Sequence, residues 1–185
     1  MNFNKHSNIA GQHAFLSASK HSWINYDEDK LARVFRTHQA AQRGTELHAF
    51  ANEAIRLGVK LPDTGQTLNQ YVNDAIGFRM TPEQPLFFSP NLYGTADAIG
   101  FRNNLLRIHD LKTGVNPGSM DQLIIYAAFF CLEYRFKPFE IEMELRIYQN
   151  DEVLAFIPDP VDIVPVIDKV ITFDRVLNEL KMEAS

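Results

Sequence analysis

Cysteine is almost missing from this chain, and its scarcity rules out several kinds of site. With Cys131 alone, no internal disulfide, zinc ribbon or four-cysteine iron–sulfur site can form. Cys131 lies within Ala127-Ala128-Phe129-Phe130-Cys131-Leu132, where it reads as a buried small hydrophobe. No apolar run reaches membrane-spanning length, so no membrane partner is expected. The first residues carry His, Asn and Gln where a signal peptide needs an apolar stretch. The expected compartment is therefore the cytoplasm, that of the host if the chain is phage-encoded. No Gly-x-x-x-x-Gly-Lys-Ser/Thr run occurs, which excludes a helicase or ATPase segment. Basic charge is not in excess either. The net charge of -5 argues mildly against a general DNA coater and leaves a local active site open. Internal repeats and low-complexity segments are absent.

What remains has the composition of a globular protein, 45% apolar and 22% charged over 185 residues, enough for one domain (1–185) with a substantial core. Charge is unevenly spread. Lys30, Arg33, Arg36, His38 and Arg43 cluster before His48, and acids gather at Asp151-Glu152 and Asp159–Asp162. The spacing of Leu47, Phe50, Ala51, Ala54 and Ile55 predicts a helix over about 28–57, with Gly44 as the point where it could break. Gly58 and Pro62 end it. A short helix is expected over 68–76 and a strand over 85–89. After the hairpin described below, a helix is expected over 120–134, strands over 139–148 and 153–157, and a last helix from Pro165 to Leu180. That order predicts an α/β fold, a central mixed β-sheet of about five strands flanked by helices.

The most informative stretch is Leu92 to Gly114. It reads as two strands joined by a tight turn at Asn103-Asn104, because asparagine tolerates the positive φ that two-residue hairpins need. Counting outward from Arg102 opposite Leu105 puts Asp97 directly opposite Asp110. Directly opposed Cβ atoms lie roughly 4.5–5.5 Å apart, and like charges there repel. A divalent cation between the carboxylates turns that repulsion into shared coordination. The same counting puts Ile99, Phe101, Leu106 and Ile108 on the carboxylates' face, and Lys112, two residues beyond Asp110, points the same way. Ala96, Ala98 and Gly100 fall on the opposite face, where another element could approach closely.

Further pieces line up in chain order. They are Gly44-Thr45-Glu46-Leu47-His48 on the first long helix, Glu83 ahead of the first strand, and Gly94-Thr95-Ala96-Asp97. Asp110-Leu111-Lys112-Thr113-Gly114 follows, then Gln122-Leu123-Ile124-Ile125-Tyr126. This set resembles the RecB-like branch of the PD-(D/E)XK nuclease superfamily. That branch includes the nuclease domains of RecB and AddB, CRISPR-associated exonucleases and many small phage nucleases. The resemblance covers residues 44 to 126, and the flanks by element order alone.

The resemblance implies a restriction-endonuclease-like core and a role for each matching position. His48, Asp97, Asp110 and the Leu111 carbonyl would hold one or two Mg²⁺ or Mn²⁺ ions. Lys112 would orient the attacking water and stabilise charge on the phosphate. Gln122 and Tyr126 would lie beside the DNA. It also implies a deoxyribonuclease, most simply an exonuclease on linear DNA in phage recombination, repair or replication. Its partners would be DNA and either a recombination protein or further copies of the chain. A structure-selective endonuclease and a catalytically silent DNA-binding or scaffolding domain are the alternatives. Where relatives often carry Glu four residues after the helix histidine, this chain has Asn52 followed by Glu53, which puts a metal role for Glu53 in doubt. The cluster-binding cysteines of some relatives are absent, so no iron–sulfur cluster is expected.

Chemistry supports these roles on separate grounds. Mg²⁺ prefers oxygen donors, and an imidazole in the shell makes Mn²⁺ relatively more favourable. Arg36 and Arg43, seven residues apart, would share a helix face and contact phosphates near the metal. Plainer readings stand beside the sharp ones. His48 could be a surface histidine and Tyr126 a core tyrosine. Ser119-x-x-Gln122 is a capping box, which would turn Gln122 back to its own helix end. Glu83 reads better as a solvated loop charge, Thr113-Gly114 as turn chemistry and Trp23 as a packing residue.

Overall fold

The computed structural model describes residues 5–8 and 11–183. Two compact units make up the chain, Met1–Gln42 and Arg43–Ser185. The first contains a 3-10 segment (Ala18–Asn25) and the start of helix α1 (Glu28–Leu57). Asp27 opens α1, its Oδ1 accepting from the Lys30 backbone N–H at 2.7 Å.

The second unit is built on one sheet. Its strands are β1 (Thr81–Ser89), β2 (Leu92–Arg102), β3 (Leu105–Leu111), β4 (Glu142–Gln149) and β5 (Glu152–Phe156), in the spatial order β1-β2-β3-β4-β5. The β3–β4 pair is parallel and the others antiparallel, so the sheet is mixed. The parallel step needs a crossover, supplied by α3 (Met120–Tyr134). Helices α2 (Thr67–Gly77) and α4 (Pro160–Glu183) complete the unit. The fold is therefore α/β, with a central mixed five-stranded sheet flanked by helices. Among the described residues no helix is long and apolar enough to cross a membrane.

Each sheet face has its own core. Leu123, Ala127 and Phe130 of α3 and Ile163 and Val170 of α4 pack on Leu106, Ile108, Leu145 and Ile147. Ala51, Ala54 and Ile55 of α1 and Tyr71, Val72 and Ala75 of α2 pack on Ala98, Leu111 and Tyr148. Strand β3, at the centre, is largely buried on both faces, as a parallel pair requires, whereas the edge strand β5 is mostly exposed. Cys131 lies in the first of these cores, 2% exposed.

The hairpin follows from its turn. Asn103 and Asn104 take φ of 50° and 64°, and Arg102 pairs with Leu105. Helix α3 occupies the expected residues because Ser119 caps it, with Oγ accepting from the Asp121 N–H at 3.2 Å. Arg135 closes it in the left-handed conformation.

Three expectations are corrected. Helix α1 is unbroken at Gly44, which is buried, because a Cβ there would lie 2.8 Å from Thr113 Oγ1. The glycine lets the helix approach the end of β3 and does not bend it. Strand β1 begins at Thr81, four residues earlier than expected; Pro82 and Pro85 are tolerated because β1 is an edge strand. Helix α4 starts at Pro160 and carries Pro165 inside it. Its start is set by Asp159, whose backbone N–H donates to Asp162 Oδ2 at 2.8 Å.

Candidate metal centre

Asp97 sits where two strands change phase. Ala96 and Ile99 both belong to the core under α3 and α4, while Ala98 belongs to the core under α1 and α2. On β1, Thr81, Gln84 and Leu86 line a single groove together with Ile99. Residues three apart face opposite ways in a regular strand, so both strands slip by one residue between these positions. The ladder passes from Pro82–Ala98 to Gln84–Ala96, and the skipped residues are Glu83 and Asp97. Glu83 takes φ 50°, left-handed backbone that costs a non-glycine residue about 1–2 kcal/mol. This corrects the expected faces, since Ala96 shares a core with Ile99 and does not lie opposite it.

The slip turns Asp97 and Glu83 toward His48 on α1. His48 Nδ1 lies 3.5 Å from Asp97 Oδ2, and one donor atom from each of His48, Glu83 and Asp97 falls within 4.8 Å of the others. His48 is one helical turn beyond Gly44, so the close approach at Gly44 presses that same face of α1 toward the end of β3. Asp97 Oδ2 also accepts from the Leu111 N–H at 2.9 Å.

Across the hairpin, Asp110 is buried, 2% exposed. Lys112 Nζ lies 3.1 Å from its Oδ1 and 2.9 Å from its Oδ2. The ammonium therefore straddles the carboxylate, donating to Oδ1 and standing in ion-pair contact with the buried Oδ2. Lys112 is held elsewhere as well. Its backbone N–H donates to the Tyr148 carbonyl at 2.9 Å, and Nζ donates to Gln122 Oε1 at 2.9 Å. Gln122 Nε2 stands 3.5 Å from the Tyr126 hydroxyl, a long contact. Gly118 leaves room for the lysine stem, since a Cβ there would lie 3.1 Å from Lys112 Cγ. Gly94 does the same for Tyr126, with 2.9 Å between its ideal Cβ and Tyr126 Cε1.

The carboxylates feel one another. Burial first, then the charge of Asp110, pushes the Asp97 carboxyl up to about 6, against the pull of the Leu111 N–H and His48. Tyr71 of α2, 2% exposed, has its phenol pushed far above the ordinary value by burial and then by Asp97, Glu83 and Asp110. The site thus holds more carboxylate than its cations neutralise.

Of the residues singled out in the sequence, His48, Asp97, Asp110, Leu111, Lys112, Gln122 and Tyr126 form one connected constellation. The side chain of Gln122 is committed to Lys112 and not to the Ser119 N–H, so the reciprocal half of the capping box is not made. Arg43 is exposed on α1, Arg36 is exposed in the first unit, and neither is part of the constellation. The expectation of Glu83 as a solvated loop charge is corrected, since it stands on β1 beside His48 and Asp97. Tyr71 is the residue that gives no signal in the sequence beyond an apolar helix position. The donor set of one imidazole and two carboxylates, His48, Glu83 and Asp97, fits a hard divalent cation, with Asp110 across the hairpin paired to Lys112. Comparison with protein-family models, curated proteins and solved structures found no match to this chain.

Proposed function

We propose that the chain is a metal-dependent DNA nuclease that hydrolyses phosphodiester bonds, and that it acts as an exonuclease on linear DNA. The observation that carries this reading is the convergence of Asp97 and the Asp110–Lys112–Gln122 relay on one end of the β2–β3 hairpin, with His48 and Glu83 beside them. His48, Glu83, Asp97 and Asp110 would hold Mg²⁺ or Mn²⁺, joined by the Leu111 carbonyl as the family resemblance implies. A bound ion of this kind supplies Lewis acidity and a water activated for attack on phosphorus.

The remaining work falls to the chain. The Lys112 ammonium, fixed between a buried carboxylate and an amide oxygen, stands ready for the charge that builds on the phosphate oxygens. Gln122 is a positioning residue, since its amide oxygen accepts from the Lys112 ammonium. Tyr126 extends the same edge toward a bound strand.

The test is incubation of the protein with end-labelled linear DNA and closed circular DNA, with and without Mg²⁺ or Mn²⁺. The expected result is progressive shortening of linear DNA only with metal, and an intact circle. Cleavage of the circle would make the enzyme an endonuclease, and no metal-dependent cleavage of either would overturn the reading.

A further inference from the structure

The first unit carries a groove of about 540 Å³ formed by residues 13–41. Its chemistry is basic and aromatic. Lys20, Arg33, His13 and His38 line it beside Trp23 and Tyr26, and among the described residues no carboxylate does. That composition is uncommon in a chain whose net charge is -5. Among the described residues neither Lys20 nor Arg33 takes part in an ion pair. Trp23 is half-buried, and its indole N–H donates to the Ser17 carbonyl at 2.9 Å, which fixes the ring plane. Lys30 lies 4.5 Å from the centre of the Tyr26 ring, so one face of that ring is already taken.

We propose that this groove binds a short stretch of single-stranded nucleic acid, with a base stacked on Trp23 and neighbouring phosphates on Lys20 and Arg33. A bare phosphate or a duplex could satisfy the cations, but neither offers an open base face to the aromatic wall. Unpaired nucleotides supply both, and base–aromatic stacking is tolerant of sequence. The volume admits one or two nucleotides. The inference deepens the nuclease reading by naming the form of the substrate. It rests on that reading only for what happens after binding.

Trp23 is the one tryptophan in the chain, so tryptophan-selective fluorescence reports on this groove. The full chain is titrated in EDTA, where no cleavage can occur, with a twelve-residue oligothymidylate, its abasic counterpart and oligouridylate. Saturable quenching by the oligothymidylate is expected, with binding by the abasic strand at least fivefold weaker. Lys20→Ala combined with Arg33→Ala should weaken binding about tenfold, read by anisotropy of a labelled strand. Trp23→Phe should keep most of the affinity and Trp23→Ala should lose about tenfold, with melting curves checking that each variant folds. Oligouridylate bound equally well assigns single strands in general, and a preference for oligothymidylate assigns the deoxyribose or the thymine methyl; both support the groove. Absence of quenching, or equal binding of the abasic strand, overturns it. Cleavage of DNA without quenching removes the groove and leaves the nuclease reading. Quenching without metal-dependent cleavage does the reverse.

Discussion

Asp97 and Asp110 stand on adjacent strands of one hairpin, yet they are compensated in opposite ways. Asp110 is buried against the Lys112 ammonium, which Gln122 grips in turn. Asp97 has a backbone N–H, a histidine at 3.5 Å and an exposed glutamate for company. One carboxylate is paired within the fold. The other is held in place with its charge largely unanswered, and its carboxyl rises to about 6 as a result. On the proposed reading that unanswered charge is the place of a cation, whereas the Asp110–Lys112 pair is also part of the structure itself. Truncating each partner should therefore give the same loss of chemistry and opposite changes in stability.

The largest expected effect tests what the two sides share. Asp97→Ala and Asp110→Ala should each lower metal-dependent cleavage by about 10³-fold or more, read on end-labelled DNA at saturating Mn²⁺. Near-normal cleavage by either variant would remove that residue from the site. Lys112→Met separates the sides. It leaves Asp110 as a buried, uncompensated charge, which should cost about 3 kcal/mol in denaturant unfolding of the metal-free protein. Added divalent cation should recover part of that loss. Unchanged stability would mean that the ion pair is not what holds Asp110.

The opposite sign is expected for Asp97→Asn. The Asp97 carboxyl titrates near 6 in the folded chain, against about 3.9 when unfolded. Between those values the folded state binds the extra proton. The metal-free protein therefore loses stability as pH rises from about 4 to 6, and carries the full penalty above 6. The asparagine removes a penalty of about 1–3 kcal/mol at pH 7.5 and gains nothing at pH 4. A cation reverses the direction for the wild-type chain, because it binds the ionised carboxylate. The rise in melting temperature on adding Mn²⁺ should be small at pH 5 and larger at pH 7.5. A shift that does not depend on pH would place the ion elsewhere.

Much of this contrast was legible in the sequence, for identifiable reasons. A two-residue asparagine turn fixes register, and the ladder follows it from Arg102–Leu105 to Ala98–His109, stopping one step short of the expected Asp97–Asp110 pair. A serine cap set the start of α3. Legibility stopped where local rules have two outcomes. Pro82-Glu83-Gln84-Pro85 looks like a loop unless the strand is at an edge, and edge position belongs to the whole sheet. The phase slip at Glu83 and Asp97 is invisible to alternation, which assumes an unbroken pleat, so Ala96 was placed on the wrong face. Pro165 reads as a helix start, but the aspartates at 159 and 162 set the beginning of α4 five residues earlier, at Pro160. Trp23 was read as packing because a lone tryptophan usually is; its groove depends on residues from 13 to 41 meeting in space.

The smallest expected effect separates cap from site at the start of α3. Ser119 satisfies the Asp121 N–H, so Ser119→Ala should lower stability by about 1 kcal/mol and leave cleavage per folded molecule unchanged. Gln122 caps nothing with its side chain and spends its amide oxygen on Lys112. Gln122→Ala should therefore leave the melting temperature within a degree or two of the wild type, because Lys112 keeps Asp110. Its effect should fall on kcat, about tenfold, through a lysine freed on one side, while KM for DNA changes little. Gln122→Glu sharpens the point, since a carboxylate still accepts from Lys112 and should recover the positioning while adding charge beside the phosphate. If Ser119→Ala and Gln122→Ala lose the same stability and neither loses rate, then Lys112 is positioned by Asp110 and the Tyr148 carbonyl alone. The relay then ends at β3, and α3 contributes packing to the centre and nothing to its chemistry.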